Sequence, residues 1–147
     1  MCIGNELRSD DGIGLVICRE LTRSIRENID NVRVIECPYG LELCTDIVIE
    51  FKPDTILIID AISANLEPGS IVFTCSLDEI SDYTTISTHT IPINVIINYI
   101  KSYVSELKRV CLLGIQVKNI NLGDKISLEV KKSGEIIVSL LLRAFQQ

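Results

Sequence analysis

The sequence predicts an α/β fold. Short runs of β-branched and aliphatic residues alternate with longer segments in which apolar residues recur every three or four positions. This alternation is typical of sheets whose strands are connected by helices. The length of 147 residues is that of one domain. Neither an internal repeat nor a Pro/Gly-rich linker divides the chain, so residues 1–147 are expected to fold as one unit.

The first half of the chain predicts three strands and two helices. Apolar residues at every fourth position from Ile13 predict an amphipathic helix. The continuously apolar run before Asp60 is typical of a central strand that is covered on both faces. In chain order we expect a strand at 1–3, a helix over 12–27, a strand at 32–36, a short helix over 43–51 that stops before Pro53, and a strand at 55–59.

The second half predicts two further strands and two further helices. The turn pair Pro68-Gly69 leads into a run of β-branched residues. Gly134 weakly interrupts the last helical pattern. The expected elements are a strand at 70–75, a helix over 90–106, a strand at 110–113 and a helix over 126–144.

The first strand is shorter than a buried strand of about 5–6 residues. Only Met1, Cys2 and Ile3 precede the turn at Gly4-Asn5. A shortened central strand leaves backbone groups of its neighbours unpaired. The expectation is therefore that the first strand is truncated, either because the chain has been cut or because its true start lies upstream.

Composition and charge exclude several classes of protein. A net charge of -6 argues against nucleic-acid binding, which needs clustered Lys and Arg. No apolar run approaches the 18 or more residues of a membrane span, so no membrane insertion is expected. The six cysteines form no Cys-x-x-Cys pair, which excludes zinc-ribbon and redox motifs. We expect a cytoplasmic protein with reduced, mostly buried thiols.

The chain has one histidine, His89, so a metal site with two or more histidine ligands is excluded. Asp11 follows the first strand, Asp60 follows the apolar run of the third, and His89 stands at the start of a predicted helix. Loops at the carboxyl ends of strands are where ligands bind in open α/β sheets. Two carboxylates and one imidazole suit nickel, zinc, manganese or iron.

Each candidate also has a purely structural interpretation. Asp11, and Asp10 beside it, could cap the helix that starts at Gly12. His89 could be a surface or cap residue. Asp60 favours a functional role, because a carboxylate that closes a buried strand is costly unless it is paired or bound.

Two other motifs lack a residue that their function requires. Gly12-Ile13-Gly14 lacks the third glycine of a dinucleotide-binding loop, and the neighbouring aspartates would repel a pyrophosphate. The segment around Asp60 has the apolar run of haloacid-dehalogenase-like phosphatases but not their second aspartate, since Ile62 stands there. A metal-dependent phosphatase is therefore the weakest functional hypothesis.

The candidate residues stand in segments that, together and in this order, resemble the [NiFe]-hydrogenase maturation endopeptidases. Within this family, the Thr88-His89 step makes the sequence resemble the proteases that process hydrogenase-3-type large subunits. The matching segments are Gly4-Asn5-Glu6-Leu7-Arg8-Ser9-Asp10-Asp11-Gly12-Ile13-Gly14, Leu57-Ile58-Ile59-Asp60-Ala61, Pro68-Gly69, Ser87-Thr88-His89-Thr90-Ile91-Pro92-Ile93 and Leu113-Gly114-Ile115-Gln116.

The resemblance implies a three-layer α/β/α sandwich with a mixed, mostly parallel five-stranded sheet. It also implies an aspartyl-type endopeptidase that removes the C-terminal extension of a nickel-loaded large-subunit precursor. Asp11, Asp60 and His89 would be its metal-contacting and catalytic residues. The nickel would come with the substrate, and zinc or cadmium could replace it in vitro. The alternative is a non-catalytic metal-binding or docking accessory of hydrogenase assembly.

The sequence departs from the family pattern in two further places. Ser63 stands where many members carry a second acidic residue. A segment that is Gly-rich and ends in Pro-Glu in many relatives is replaced here by residues 37–42, which keep the acid as Glu42.

Two routes for the reaction are compatible with these residues. Either nickel activates a bound water or polarises the carbonyl, or Asp11 or Asp60 acts as general base. The sequence leaves these two routes open.

Overall fold

A five-stranded sheet lies at the centre of the molecule. The computed structural model describes residues 1–25, 31–83 and 91–145. The sheet order is β2-β1-β3-β5-β4. β4 runs antiparallel to β5, and the other neighbouring strands are parallel. The strands are β1 (Cys2–Ile3), β2 (Glu36–Cys37), β3 (Thr55–Ile62), β4 (Ile71–Thr74) and β5 (Arg109–Gln116).

Helices cover both faces of this sheet. One apolar cluster joins the sheet to α1 and α5, and a second joins it to α2, α3 and α4. Two 3-10 helices, Glu6–Gly12 and Leu41–Cys44, lead into α1 and α2. The predicted three-layer sandwich with a mixed sheet is confirmed. The helices are α1 (Ile13–Ser24), α2 (Thr45–Phe51), α3 (Leu77–Tyr83), α4 (Ile93–Tyr103) and α5 (Leu128–Phe145).

β3 owes its continuous apolar character to its place between these layers. Ile58 and Ile62 belong to the cluster on the side of α2, α3 and α4. Ile59 and Ala61 belong to the cluster on the side of α1 and α5. Since side chains alternate along a strand, Asp60 points to the same side as Ile58 and Ile62.

Several predicted boundaries are corrected. β2 has two residues where 32–36 was expected, because it pairs with β1, which itself has two. β3 and β5 both run further than predicted, since they pair with each other over eight residues, 55–62 against 109–116. α3 was not predicted, although Leu77 and Ile80 have helical spacing and two acidic residues stand in its first turn.

The cysteines contradict the expectation of reduced thiols. All six are paired, as Cys2–Cys18, Cys37–Cys44 and Cys75–Cys111. The first pair ties β1 to α1, the second closes the segment after β2, and the third joins the end of β4 to β5. Intracellular thiols are usually reduced, with known exceptions in proteins from hyperthermophiles.

No helix in the described ranges combines the length and the apolar character that crossing a bilayer requires.

Candidate functional site

Asp11 and Asp60 come together because β1 and β3 are neighbours in the sheet. The chain leaves β1, passes through the 3-10 helix Glu6–Gly12 and enters α1, with Asp11 just before α1 begins. Asp60 lies within β3, two residues before the strand ends, and not at its last position as the sequence suggested. Both are buried, with exposed fractions of 3% for Asp11 and 0% for Asp60.

Two glycines permit this close approach. A Cβ atom at Gly14 would lie 2.1 Å from the carbonyl oxygen of Ile3 and 2.9 Å from that of Ile59. A Cβ atom at Gly4 would lie 2.3 Å from the carbonyl oxygen of Asp11. The start of α1 therefore rests directly on β1 and β3. The two glycines thus serve the turn after β1 and the close packing of the helix on the sheet.

Asp11 stands next to the start of α1. The residue at the N-cap position of α1 is Gly12, and no side-chain hydrogen bond caps the helix there. Asp11 thus stands one residue before the position where aspartate caps a helix. Its backbone carbonyl accepts a hydrogen bond from the amide of Asn5 at 3.0 Å, which closes the loop after β1 on itself.

The environment of Asp60 disfavours its charged form. Burial, together with repulsion from Asp11, raises the pKa of the Asp60 carboxyl to about 8, and a hydrogen bond from the Ala61 amide opposes this rise. That amide donates to Oδ1 at 2.8 Å. Oδ2 is buried and has no hydrogen-bond partner among residues 1–25, 31–83 and 91–145. An unpartnered buried oxygen beside a second carboxylate is able to hold a proton or a cation.

Asp10 has a different environment from its neighbour. Its carboxylate accepts hydrogen bonds from the amides of Lys118, Asn119 and Ser127 at 2.8, 2.9 and 2.6 Å, and from the Ser127 hydroxyl at 2.9 Å. These donors lie on the segment between β5 and α5. Asp10 is fully buried, but four donors satisfy it. The contacts of Asp10 therefore give it a structural role.

Gln116, at the end of β5, is a buried polar residue to which the sequence analysis gave no role. Its side-chain oxygen accepts hydrogen bonds from the amides of Ala64 at 2.7 Å and Leu66 at 3.3 Å. Its side-chain nitrogen donates to the carbonyl of Val117. Gln116 therefore holds the segment that follows β3. The sequence signal was a polar residue that closes an apolar strand, the same signal that singled out Asp60.

Glu42 also lies at this edge of the sheet, in the 3-10 helix after β2. A Cβ atom at Gly40 would lie 2.5 Å from Oε2 of Glu42, so the carboxylate folds back over the backbone of Gly40. Gly40 has a φ of 113°, which favours glycine.

His89 lies outside the described residues, so the predicted third ligand stays a prediction. The described residues contain no group of three or more His, Cys, Asp or Glu side chains that could hold a metal ion. The disulfides occupy all six cysteine sulfurs. The donors that the structure brings together are thus carboxylate oxygens, which suit hard or borderline divalent cations.

Comparisons with known proteins agree on one family. The family model described as HycI, hydrogenase maturation protease, matches residues 16–144. Asp60 and His89 fall inside this span, and Asp11 lies before it. A Methanocaldococcus jannaschii protein that carries the name of a hydrogenase maturation protease is 36% identical over 152 residues, covering 100% of this chain and 87% of the relative.

Two further relatives support the same assignment. The hydrogenase 3 maturation protease of Escherichia coli is 28% identical over 141 residues, covering 96% of this chain and 86% of the relative. The crystal structure of the [NiFe] hydrogenase maturation protease HycI from Thermococcus kodakarensis has a TM-score of 0.85 and 25% sequence identity. It covers 99% of this chain and 90% of its own.

Proposed function

Because the chain belongs to the hydrogenase maturation protease family, we propose that it is an endopeptidase that removes the C-terminal extension of a [NiFe]-hydrogenase large-subunit precursor. The observation that carries this proposal is the buried pair of Asp11 and Asp60, in which one carboxyl has a raised pKa and an unpartnered oxygen among the described residues. A buried carboxyl whose pKa is strongly raised by burial and a neighbouring carboxylate is a mark of acid–base sites.

The nickel of the precursor is the feature that the site recognises in this proposal. It arrives with the substrate, and its thiolate ligands belong to the precursor. Asp11 and Asp60 supply carboxylate oxygens, and His89 supplies the imidazole that the sequence predicts. When bound, the nickel would polarise the scissile carbonyl or acidify a water molecule. A precursor without nickel would then lack the contact that places its tail at the carboxylate pair.

The carboxylate pair can move the proton that peptide hydrolysis requires. The oxygen of water bonds to the carbonyl carbon, the C–N bond breaks, and a proton passes from the water to the leaving amine. With a pKa of about 8, the Asp60 carboxyl is mostly protonated at neutral pH, so it can give its proton to the leaving nitrogen and take one back from the attacking water. Burial excludes bulk water from the pair, which strengthens its interaction with developing charge.

The test is incubation of the protein with a nickel-loaded, unprocessed large subunit. We expect the wild type to shorten the precursor, and Asp60→Asn to leave its tail intact. Asp54→Asn is the matched control, because Asp54 is exposed and lies just before the opposite end of β3. The control should cleave as the wild type does.

Other outcomes would overturn parts of the proposal. An intact tail together with a stable complex would favour the docking accessory. Equal cleavage of nickel-free and nickel-loaded precursor would overturn recognition of the metal. Release of phosphate from a generic ester would favour the phosphatase.

A further inference from the structure

The loop after β1 and the segment between β5 and α5 are joined into one body. Besides the four bonds to the Asp10 carboxylate, the Asp10 amide donates to the carbonyl of Asn119 at 3.1 Å. The Ser9 hydroxyl donates to the carbonyl of Lys125 at 2.8 Å. The amide of Gly123 donates to the carbonyl of Leu7 at 3.0 Å. The loop that carries Asp11 is thus fixed to its neighbour from Leu7 to Asp10.

We propose that Asp10 is a positioning residue for the reaction, and that it acts by fixing Asp11 against Asp60. This inference rests on the proposed function. Asp10 is fully buried and turned towards Lys118, Asn119 and Ser127, so it does not contact the substrate. Its side chain fixes the backbone one residue before Asp11. After Asp11 in the chain, the close approach of Gly14 to the sheet fixes the start of α1.

The backbone at this point needs such a restraint. Ser9 has φ 53° and ψ -118°, a conformation that non-glycine residues rarely adopt. Unfavourable backbone conformations persist where the surrounding contacts impose them. The bonds of Ser9 and Asp10 to the segment 118–127 are contacts of this kind. Without them we expect the loop to relax and Asp11 to move away from Asp60.

The direct test is Asp10→Asn, which keeps the side-chain shape but turns an acceptor oxygen into an NH₂ group that faces backbone amides. On protein that circular dichroism shows to be folded, we expect kcat for precursor cleavage to fall by about tenfold or more, with KM nearly unchanged. Displacement of a reacting group by about 1 Å is able to cost up to ~100-fold. A purely structural role would lower Tm and leave kcat of the folded fraction unchanged.

Asp124→Asn is the matched control. Asp124 lies in the same segment and accepts a hydrogen bond from the side chain of Asn119, but it does not contact the loop of Asp11 in any bond described above. It should keep the wild-type kcat. If Asp10→Asn does not fold, Ser127→Ala removes one donor, the hydroxyl at 2.9 Å, and should lower kcat about threefold. Wild-type kcat in either folded variant overturns the inference.

A second readout does not depend on cleavage. In protein labelled with ¹³C at aspartate carboxyls, Asp10→Asn should shift the Asp11 signal, and Asp124→Asn should not. An unmoved Asp11 signal overturns the positioning role even if the precursor is processed. A moved signal in a protein that cleaves no precursor would support the positioning role while the proposed function fails.

Discussion

Asp60 should make the stability of the protein depend on pH in a direction opposite to that of an ordinary carboxylate. Its pKa rises from 3.8 to about 8 in the folded state. Below pH 4 both folded and unfolded chains carry the proton, and Asp60 imposes no penalty. Between pH 4 and 8 the unfolded chain loses the proton while the folded chain retains it, so the free energy of unfolding falls as pH rises. Above pH 8 the penalty is complete.

The size of this effect follows from the shift. One pKa unit corresponds to 1.36 kcal/mol, so a shift of about four units amounts to at most about 6 kcal/mol. Asp60→Asn removes the titration. A buried amide that lacks partners costs about 1–3 kcal/mol at every pH, which changes the offset and not the slope. We therefore expect the free energy of unfolding of the variant to rise relative to that of the wild type by about 1.4 kcal/mol for each pH unit between 4 and 8.

The assay is urea unfolding of both proteins between pH 4 and 9, with a chelator present to remove adventitious metal. Asp54→Asn, at the exposed beginning of the same strand, should follow the wild-type curve. Curves for wild type and Asp60→Asn that stay parallel across this range would refute the reasoning, because they would show that the Asp60 carboxyl ionises alike in both states.

Three further predictions concern the packing, the disulfides and the site. Gly14→Ala should lower the free energy of unfolding by at least about 2 kcal/mol in urea, because its methyl would overlap two carbonyl oxygens; a neutral effect would contradict the close approach. Replacing Cys75–Cys111 by serines should cost about 1.5 kcal/mol more than replacing Cys37–Cys44, since the sequence separations are 36 and 7; equal losses would contradict this. Binding of Cd²⁺ to the wild type at pH 7 should release about one proton, which calorimetry in two buffers measures, and binding to Asp60→Asn should release none. If the variant released the same proton, that proton would come from a group other than Asp60.

The fold could largely be predicted because its strongest signals are local. The continuous apolar run of β3, and the apolar residues at every fourth position of α1, directly indicate which residues are buried. The exact ends of strands could not be predicted, since they depend on partners. β2 stops where β1 stops, and β5 runs on because β3 does. The disulfides could not be predicted for the same reason, because the pairing of cysteines depends on their distance in the folded protein and not on their spacing along the chain.

The site shows the same limit within two adjacent residues. Asp10 and Asp11 have the same side chain and stand at the same turn, so the sequence offered a capping role to both. The fold separates them. Asp10 meets four hydrogen-bond donors from a segment more than 100 residues away, which satisfy its charge. Asp11 lies beside Asp60, where its charge raises the pKa of a second carboxyl. Burial alone therefore does not distinguish the two kinds of carboxylate. A carboxylate that its donors satisfy, as at Asp10, is a structural anchor, whereas Asp60, whose Oδ2 has no partner among the described residues, retains the capacity to bind a cation or hold a proton.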